Sequence, residues 1–386
     1  MDKFNLKFST MLYNLLRPTL FCRLLLICFI CFIVPFHSFA QQSRKPVVIA
    51  YYAGHNPAQL DSFSIEKLTH IIFSFCHLKG NRLNVANAID TAMIQKMVSL
   101  KSRNKDLKVI LSLGGWGGCA TCSDVFSTKD GRKEFAQSVI ELSEYFGSDG
   151  IDLDWEYPAI QGYPGHKYQQ QDKDNFTSLV KQLRRKLGGS YEISFAAGGF
   201  THFIQESVDW KKVMKKANYV NMMTYDLVSG YATVTGHHTA LYSTSSQTES
   251  TDNAVQKLLA LHVPASKIVI GAAFYGRVFE QVADTNAGLY QQGKFLRSIS
   301  YKNFSNQLSA DSGYVYHWDD GAMAPYLFNP SQHLFVTYDD KHSIQVKTKY
   351  AMDNKLGGVM FWQLADDAFS DGLLDAIDEV NRGDKK

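Results

Sequence analysis

Eight short runs of apolar and β-branched residues recur from Val47 onward, and segments of helical period separate them. The runs are Val47 to Tyr52, His70 to Phe75, Lys108 to Leu113, Gly150 to Trp155, Glu192 to Ala196, Tyr219 to Thr224, Lys267 to Phe274 and Gly358 to Gln363. Between them, Phe135, Val139, Leu142 and Phe146 recur at helical spacing behind Asp130 as a candidate cap. Phe176, Leu179, Leu183 and Leu187 do the same behind Asp172. Such spacing collects apolar side chains on one helix face. Strands this apolar need cover on both faces, which antiparallel sheets open to water do not give. The pattern therefore predicts an α/β chain folded as a (β/α)8 TIM barrel, in preference to an open doubly wound sheet.

The rhythm breaks once. The 61 residues from Val278 to Tyr338 exceed by far the roughly 2–6 residues of an ordinary βα loop. With Tyr290, Phe295, Tyr301, Tyr314, Trp318 and Phe328 among them, they predict a small α+β insertion subdomain between strands seven and eight. The barrel domain as a whole is read as residues 41–386, with the insertion at 278–338.

Residues 1–40 read as a cleaved signal peptide. A basic start precedes the apolar run Leu24 to Val34, and Ser38-Phe39-Ala40 supplies small residues for cleavage. That run falls short of the roughly 20 residues a bilayer span requires. The expectation is an exported protein, periplasmic or secreted, without stable membrane insertion after cleavage. The chain holds 40 Lys and Arg against 37 Asp and Glu; residues 1–40 carry four of the bases and one of the acids, which leaves 36 of each. A balanced chain gives no general reason to expect nucleic acid or an anionic membrane as partner, and favours a neutral one. Three of the 6 cysteines (Cys22, Cys28 and Cys31) fall in the leader. Of the rest, the spacing of Cys119 and Cys122 in an exported protein favours a local loop disulfide over a redox or zinc site.

The stretch from Asp149 to Pro158 carries the chemistry. Side chains alternate along a strand, so Asp152, Asp154 and Glu156 share one side, and Ile151, Leu153 and Trp155 share the other. In a barrel the apolar set faces the helices and the acids face the interior. Crowded carboxylates cannot all ionise cheaply, so at least one is expected to hold a proton near neutral pH. Glu156 comes last, at the strand end where barrel active sites are built. Asp149 is out of phase and must precede the strand or sit at a bulge. The residues alone leave three readings open: acid catalysis, binding of a divalent cation through oxygen ligands, and a structural role.

The spacing Asp149-x-x-Asp152-x-Asp154-x-Glu156 resembles the signature of glycoside hydrolase family 18, the chitinases and related β-N-acetylglucosaminidases. Ser112-Leu113-Gly114-Gly115-Trp116 is similar to the family's S-x-G-G element, and Met223-Thr224-Tyr225-Asp226 to its M-x-Y-D element. Trp362 resembles the tryptophan that floors the family's pocket, and the insertion resembles the chitinase insertion domain of one branch. The resemblance implies a secreted chitinase that hydrolyses β-1,4 bonds between N-acetylglucosamine units as a monomer, with no cofactor and no metal. Glu156 would be the proton donor, and the substrate's own 2-acetamido oxygen the nucleophile. Asp154 would hold the acetamido N–H, Asp152 would share a proton with Asp154, and Tyr225 would donate to the acetamido oxygen. Met223, Asp226, Gly115 and Trp362 are expected to line the pocket. Tyr52, Phe73, Trp116 and Arg277, near strand ends, are candidate subsite residues. An endo-β-N-acetylglucosaminidase, a peptidoglycan hydrolase and a non-catalytic chitin-binding lectin are the alternatives.

Overall fold

A computed structural model describes residues 45–383. The expected leader and its three cysteines lie outside the described residues. Eight strands form the closed ring: β1 (Val47–Tyr52), β2 (His70–Lys79), β4 (Lys108–Gly114), β5 (Gly150–Asp154), β6 (Glu192–Gly198), β7 (Tyr219–Met223), β8 (Ile268–Ala273) and β14 (Gly358–Trp362). They pair in parallel in the order β1-β14-β8-β7-β6-β5-β4-β2, and β1 also pairs with β2 to close the barrel. A short β3 (Arg82–Asn84) folds back on β2 as a hairpin.

Alternation divides each strand between two cores. Val48, Ala50, Ile151, Leu153 and Trp155 pack outward with Phe176, Leu179 and Leu183 of the surrounding helices. Val47, Ile49, Tyr51, Ile72, Val269 and Met360 point into the lumen. Both expected crossover helices form, but their caps differ from the sequence reading. The helix Lys129–Phe146 is capped by Thr128, whose side chain accepts from Gly131 N, with Asp130 in its first turn. It stops at Gly147, a left-handed residue at φ 74° that glycine adopts without steric penalty. The helix Asp172–Leu187 begins at Asp172 itself, whose buried carboxylate accepts from Gln169 N at 2.9 Å and Ser123 Oγ at 2.8 Å.

The insertion is a five-stranded antiparallel sheet built from β9 (Tyr275–Glu280), β10 (Lys294–Ser300), β11 (Val315–Asp319), β12 (Ala324–Asn329) and β13 (Leu334–Thr337). The strand order is β10-β9-β13-β12-β11. It starts at Tyr275, three residues before the expected boundary at 278, because only Phe274 separates β8 from β9. Its α-helix is a single short turn, Phe304–Gln307. A buried ion pair ties its exit to the barrel. Lys347 Nζ, on the helix Lys341–Asp353, lies 2.6 and 2.8 Å from the carboxylate oxygens of Asp339, which also accepts from Ala273 N at the end of β8. Cys119 and Cys122 are disulfide-bonded in the loop after β4, with Cα atoms 5.3 Å apart.

Candidate active site

Asp149 precedes β5, where its carboxylate accepts from Val109 N and pairs with Lys101 at 2.8 Å. The three following acids take up the expected common side. Asp152, wholly buried, sits deepest. Its Oδ2 accepts from Ser112 Oγ (2.8 Å) and the Tyr51 hydroxyl (3.2 Å); its Oδ1 accepts from Ser194 Oγ (2.6 Å) and Asn221 Nδ2 (3.3 Å). Burial raises its pKa and these four donors pull it back. All its hydrogen bonds among the described residues come from β1, β4, β6 and β7, and none from Asp154.

Asp154 is the opposite case: only 4% exposed, with Oδ1 lacking any hydrogen-bond partner among the described residues. Burial, then the charges of Glu156 and Asp152, push its pKa well above the usual carboxylate range. Glu156 follows the end of β5 and keeps some exposure at the barrel mouth. Burial lifts its pKa to about 7, the charge of Asp226 adds to the rise, and the Tyr157 side chain works against it. The pair is thus arranged to keep a proton near neutrality, as a general acid requires.

Tyr225 stands among these acids. Burial raises its hydroxyl pKa first, followed by the charges of Asp154, Glu156 and Asp226. Among the described residues that hydroxyl makes only a weak contact, 4.0 Å to Met360 Sδ. Asp226, next in sequence, has a positive φ of 56°. Arg277 from β9 grips it with two donors, Nε to Oδ1 and Nη2 to Oδ2, each at 2.5 Å, and His238 Nδ1 lies 3.5 Å away. Burial would raise Asp226, but His238 and Arg277 overcome it and hold the carboxyl below its usual range. Asp226 therefore stays anionic beside Glu156. The insertion contributes directly to the site, because Arg277 belongs to its first strand.

Trp362 ends β14 and stacks on Phe75 with centroids 5.6 Å apart and planes 12° from parallel. Met223, half-buried, packs with it against the lumen cluster of Tyr51, Tyr225, Tyr275 and Met360. Gly115, at φ 80°, leaves room for Phe75: a Cβ there would lie 2.3 Å from the ring. Its N–H donates to Asp154 O at 2.9 Å, fixing the loop against β5. Trp116 is 47% exposed at the rim, beside Tyr163 (5.6 Å), Tyr231 (6.4 Å) and Tyr157 (6.5 Å).

Two expectations are corrected. Tyr52 and Phe73 are buried in the outer core between strands and helices, away from the lumen. The lumen positions belong to Tyr51 and, beyond a register irregularity between Phe73 and Cys76, to Phe75. Tyr51, Phe75, Ser194, Asn221 and His238 went unrecognised in the sequence. The phase of Asp152 carried across the parallel registers Ser112↔Asp152↔Ser194 would have found Ser194.

Known proteins resemble this chain across the barrel. The family described as glycosyl hydrolases family 18 matches residues 47–367. Chitinase A1 of Niallia circulans is 32% identical over 71% of this chain, and chitinase B of Serratia marcescens 30% identical over 81%. The matches cover 42% and 76% of those two proteins, respectively. Among solved structures, a glycoside hydrolase family 18 N-acetylglucosaminidase from Paenibacillus barengoltzii superposes with a TM-score of 0.79 at 34% identity, covering 86% of this chain and 99% of that one. A match across most of the barrel, joined to the row of acids on β5, means that this chain belongs to glycosyl hydrolase family 18.

Proposed function

We propose that this chain is an exported hydrolase that cleaves β-1,4 linkages between N-acetylglucosamine units with retention, using the substrate's 2-acetamido group as nucleophile. The observation that carries the reading is the division of labour along β5. Asp152 is saturated by donors, Asp154 has a buried oxygen without a partner among the described residues, and Glu156 at the mouth holds a proton to about pH 7. Glu156 gives that proton to the glycosidic oxygen while the acetamido carbonyl oxygen closes on the anomeric carbon. Asp154 Oδ1 accepts the acetamido N–H and opposes the positive charge that develops on the ring so formed. The Tyr225 hydroxyl, without a strong protein partner, donates to the attacking carbonyl oxygen and orients it. Water then opens the cyclic intermediate and returns its proton to Glu156.

Trp362 and Phe75 offer an aromatic floor to the apolar face of the sugar, and Trp116 offers a second ring at the rim. The names of the relatives, two chitinases and an N-acetylglucosaminidase, support a substrate of this class. The N-acetylglucosaminidase, matched over almost its whole length, favours removal of single sugars as a second reading. The intact Glu156 argues against a lectin. Mass spectrometry of products from chitin oligomers, an N-glycopeptide and peptidoglycan tests the assignment: cleavage of the first supports it, and cleavage of only the others rejects it. Export predicts a mature protein whose first residue is Gln41, which N-terminal sequencing checks.

A further inference from the structure

The barrel strands are parallel, so the residues preceding each strand share one face, and the active-site residues, which lie toward or just beyond the carboxyl ends of β5, β7 and β14, occupy the other. Two neighbouring segments that run from the flank of the barrel onto the first face carry exposed cations. Lys181, Arg185 and Lys186 stand toward the end of the helix Asp172–Leu187, before β6. Lys211, Lys215 and Lys216 stand in and after the helix Trp210–Val213, before β7. The segments are joined: Arg184 Nε donates to Lys216 O at 2.9 Å and its Nη2 to Asn218 Oδ1 at 2.5 Å. Lys267, just ahead of β8, donates to Met214 O and Ala217 O, each at 2.7 Å.

None of the six exposed cations forms an ion pair among the described residues. Of the acids nearby, Asp209 is taken by Lys212 at 2.8 Å and Glu192 by His70 at 2.8 Å. Lys186 also acts on Glu141 of the neighbouring helix, which Arg82 already pairs. A helix dipole favours cations at a C-terminus, which accounts for Arg185 and Lys186. It does not account for Lys215 and Lys216, which lie beyond a helix of only four residues. With bases and acids balanced after residue 40, the cluster is an asymmetry of placement.

We infer that this face docks against an anionic phospholipid bilayer. Clustered Lys and Arg are attracted to lipid phosphates within a Debye length of the surface, and the attraction fades in salt. Docking in this orientation keeps the cleft on the side away from the lipid, open to a polymer. A single-stranded nucleic acid fits less well, because Trp116 and Tyr231 lie on the opposite face and Tyr145, toward the end of the helix Lys129–Phe146 on this side, is one exposed ring rather than a row on which successive bases could stack. The inference is independent of the proposed reaction, since binding is read without substrate.

The test is co-sedimentation of the protein, as recovered from a host expressing the full chain, with phosphatidylcholine vesicles with and without phosphatidylglycerol. The expected result is binding only when phosphatidylglycerol is present, released by salt. At about five-fold per cation, Lys211→Gln/Lys215→Gln/Lys216→Gln weakens it about a hundredfold. Hydrolysis of soluble chitin oligomers stays unchanged. Should that variant fail to fold, Lys181→Gln/Arg185→Gln/Lys186→Gln is expected to give the same loss. Equal binding to pure phosphatidylcholine, no binding to phosphatidylglycerol at low salt, or full binding by a folded triple variant each overturns the inference. So does inorganic polyphosphate that binds the parent as tightly as the vesicles do, because the face then belongs to a soluble polyanion.

Discussion

Replacing Glu156 with Gln is expected to destroy turnover and, above neutral pH, to make the protein more stable. A free glutamate side chain ionises near 4.5, and in the folded site Glu156 holds its proton to about pH 7, chiefly because it is buried. A folded-state pKa raised in this way contributes stability that is complete below the unfolded value and lost as pH climbs through the folded one. The gap between 4.5 and 7, at about 1.4 kcal/mol per pH unit, comes to about 3 kcal/mol. Gln carries the same shape without the proton, so it escapes that loss. Urea unfolding of parent and Glu156→Gln at about pH 4 and about pH 8 measures it. Near pH 4 the two differ only by the ordinary effect of the substitution. Near pH 8 the difference moves in favour of Gln by up to about 3 kcal/mol. In parallel, kcat/KM of the parent falls about tenfold per pH unit above 7, as expected when the protonated acid is the working form. A variant that gains nothing between the two pH values, or a parent whose kcat/KM stays flat two units above neutrality, refutes the reasoning.

Tyr225→Phe removes a hydroxyl whose one hydrogen-bond contact among the described residues is the weak 4.0 Å approach to Met360 Sδ. It is expected to lower kcat about a hundredfold, as loss of a single transition-state donor does, with the urea midpoint unchanged. Gly115→Ala drives a methyl into the Phe75 ring and places a side chain at φ 80°. The expected cost is about 2–4 kcal/mol of stability, with a raised KM as Phe75 is forced off Trp362; denaturant titration and steady-state kinetics read both. Lys347→Met leaves Asp339 charged and buried without its cation. A loss of about 3 kcal/mol in unfolding free energy is expected, near the low end for a broken buried pair, because Thr239, Ser343 and Ala273 still donate to the carboxylate.

The sequence made the barrel legible because all eight strand runs are apolar and regularly spaced, and each run coincides with a strand to within a few residues. The acids of β5 were legible for another reason: charge marks one phase of the alternation, and burial of the apolar phase leaves the lumen as the only place for it. β1 offers no such marker. All six of its residues are buried, inward and outward alike, so nothing in Val47 to Tyr52 tells Tyr51 from Tyr52. Phe75 was missed because β2 departs from regular register against β4 between Phe73 and Cys76, while Phe73, still in register, faces the helices; alternation counted along a sequence does not see an irregularity. The partners of Asp226 were hidden for a third reason. Arg277 reaches it from the insertion, 51 positions further along the chain, and only the closing of that sheet onto the barrel brings the two together; His238 comes from the segment after β7, where no periodic pattern marks it. The cap at Asp130 went to Thr128 because a hydroxyl one residue outside the helix reaches the free N–H groups that a first-turn carboxylate cannot.

The grip of Arg277 on Asp226 bears on how such a protein can change over evolutionary time. A side domain that only shaped the cleft could be trimmed, swapped or lost while the chemistry survived. Here the arginine that, together with His238, keeps Asp226 ionised is carried on the appended sheet, so deleting that sheet would leave the carboxyl beside Glu156 with only the imidazole of His238 to oppose its protonation. The barrel and its outgrowth are therefore bound to be inherited together, and a designer grafting this centre onto a bare barrel must supply a substitute cation at that spot.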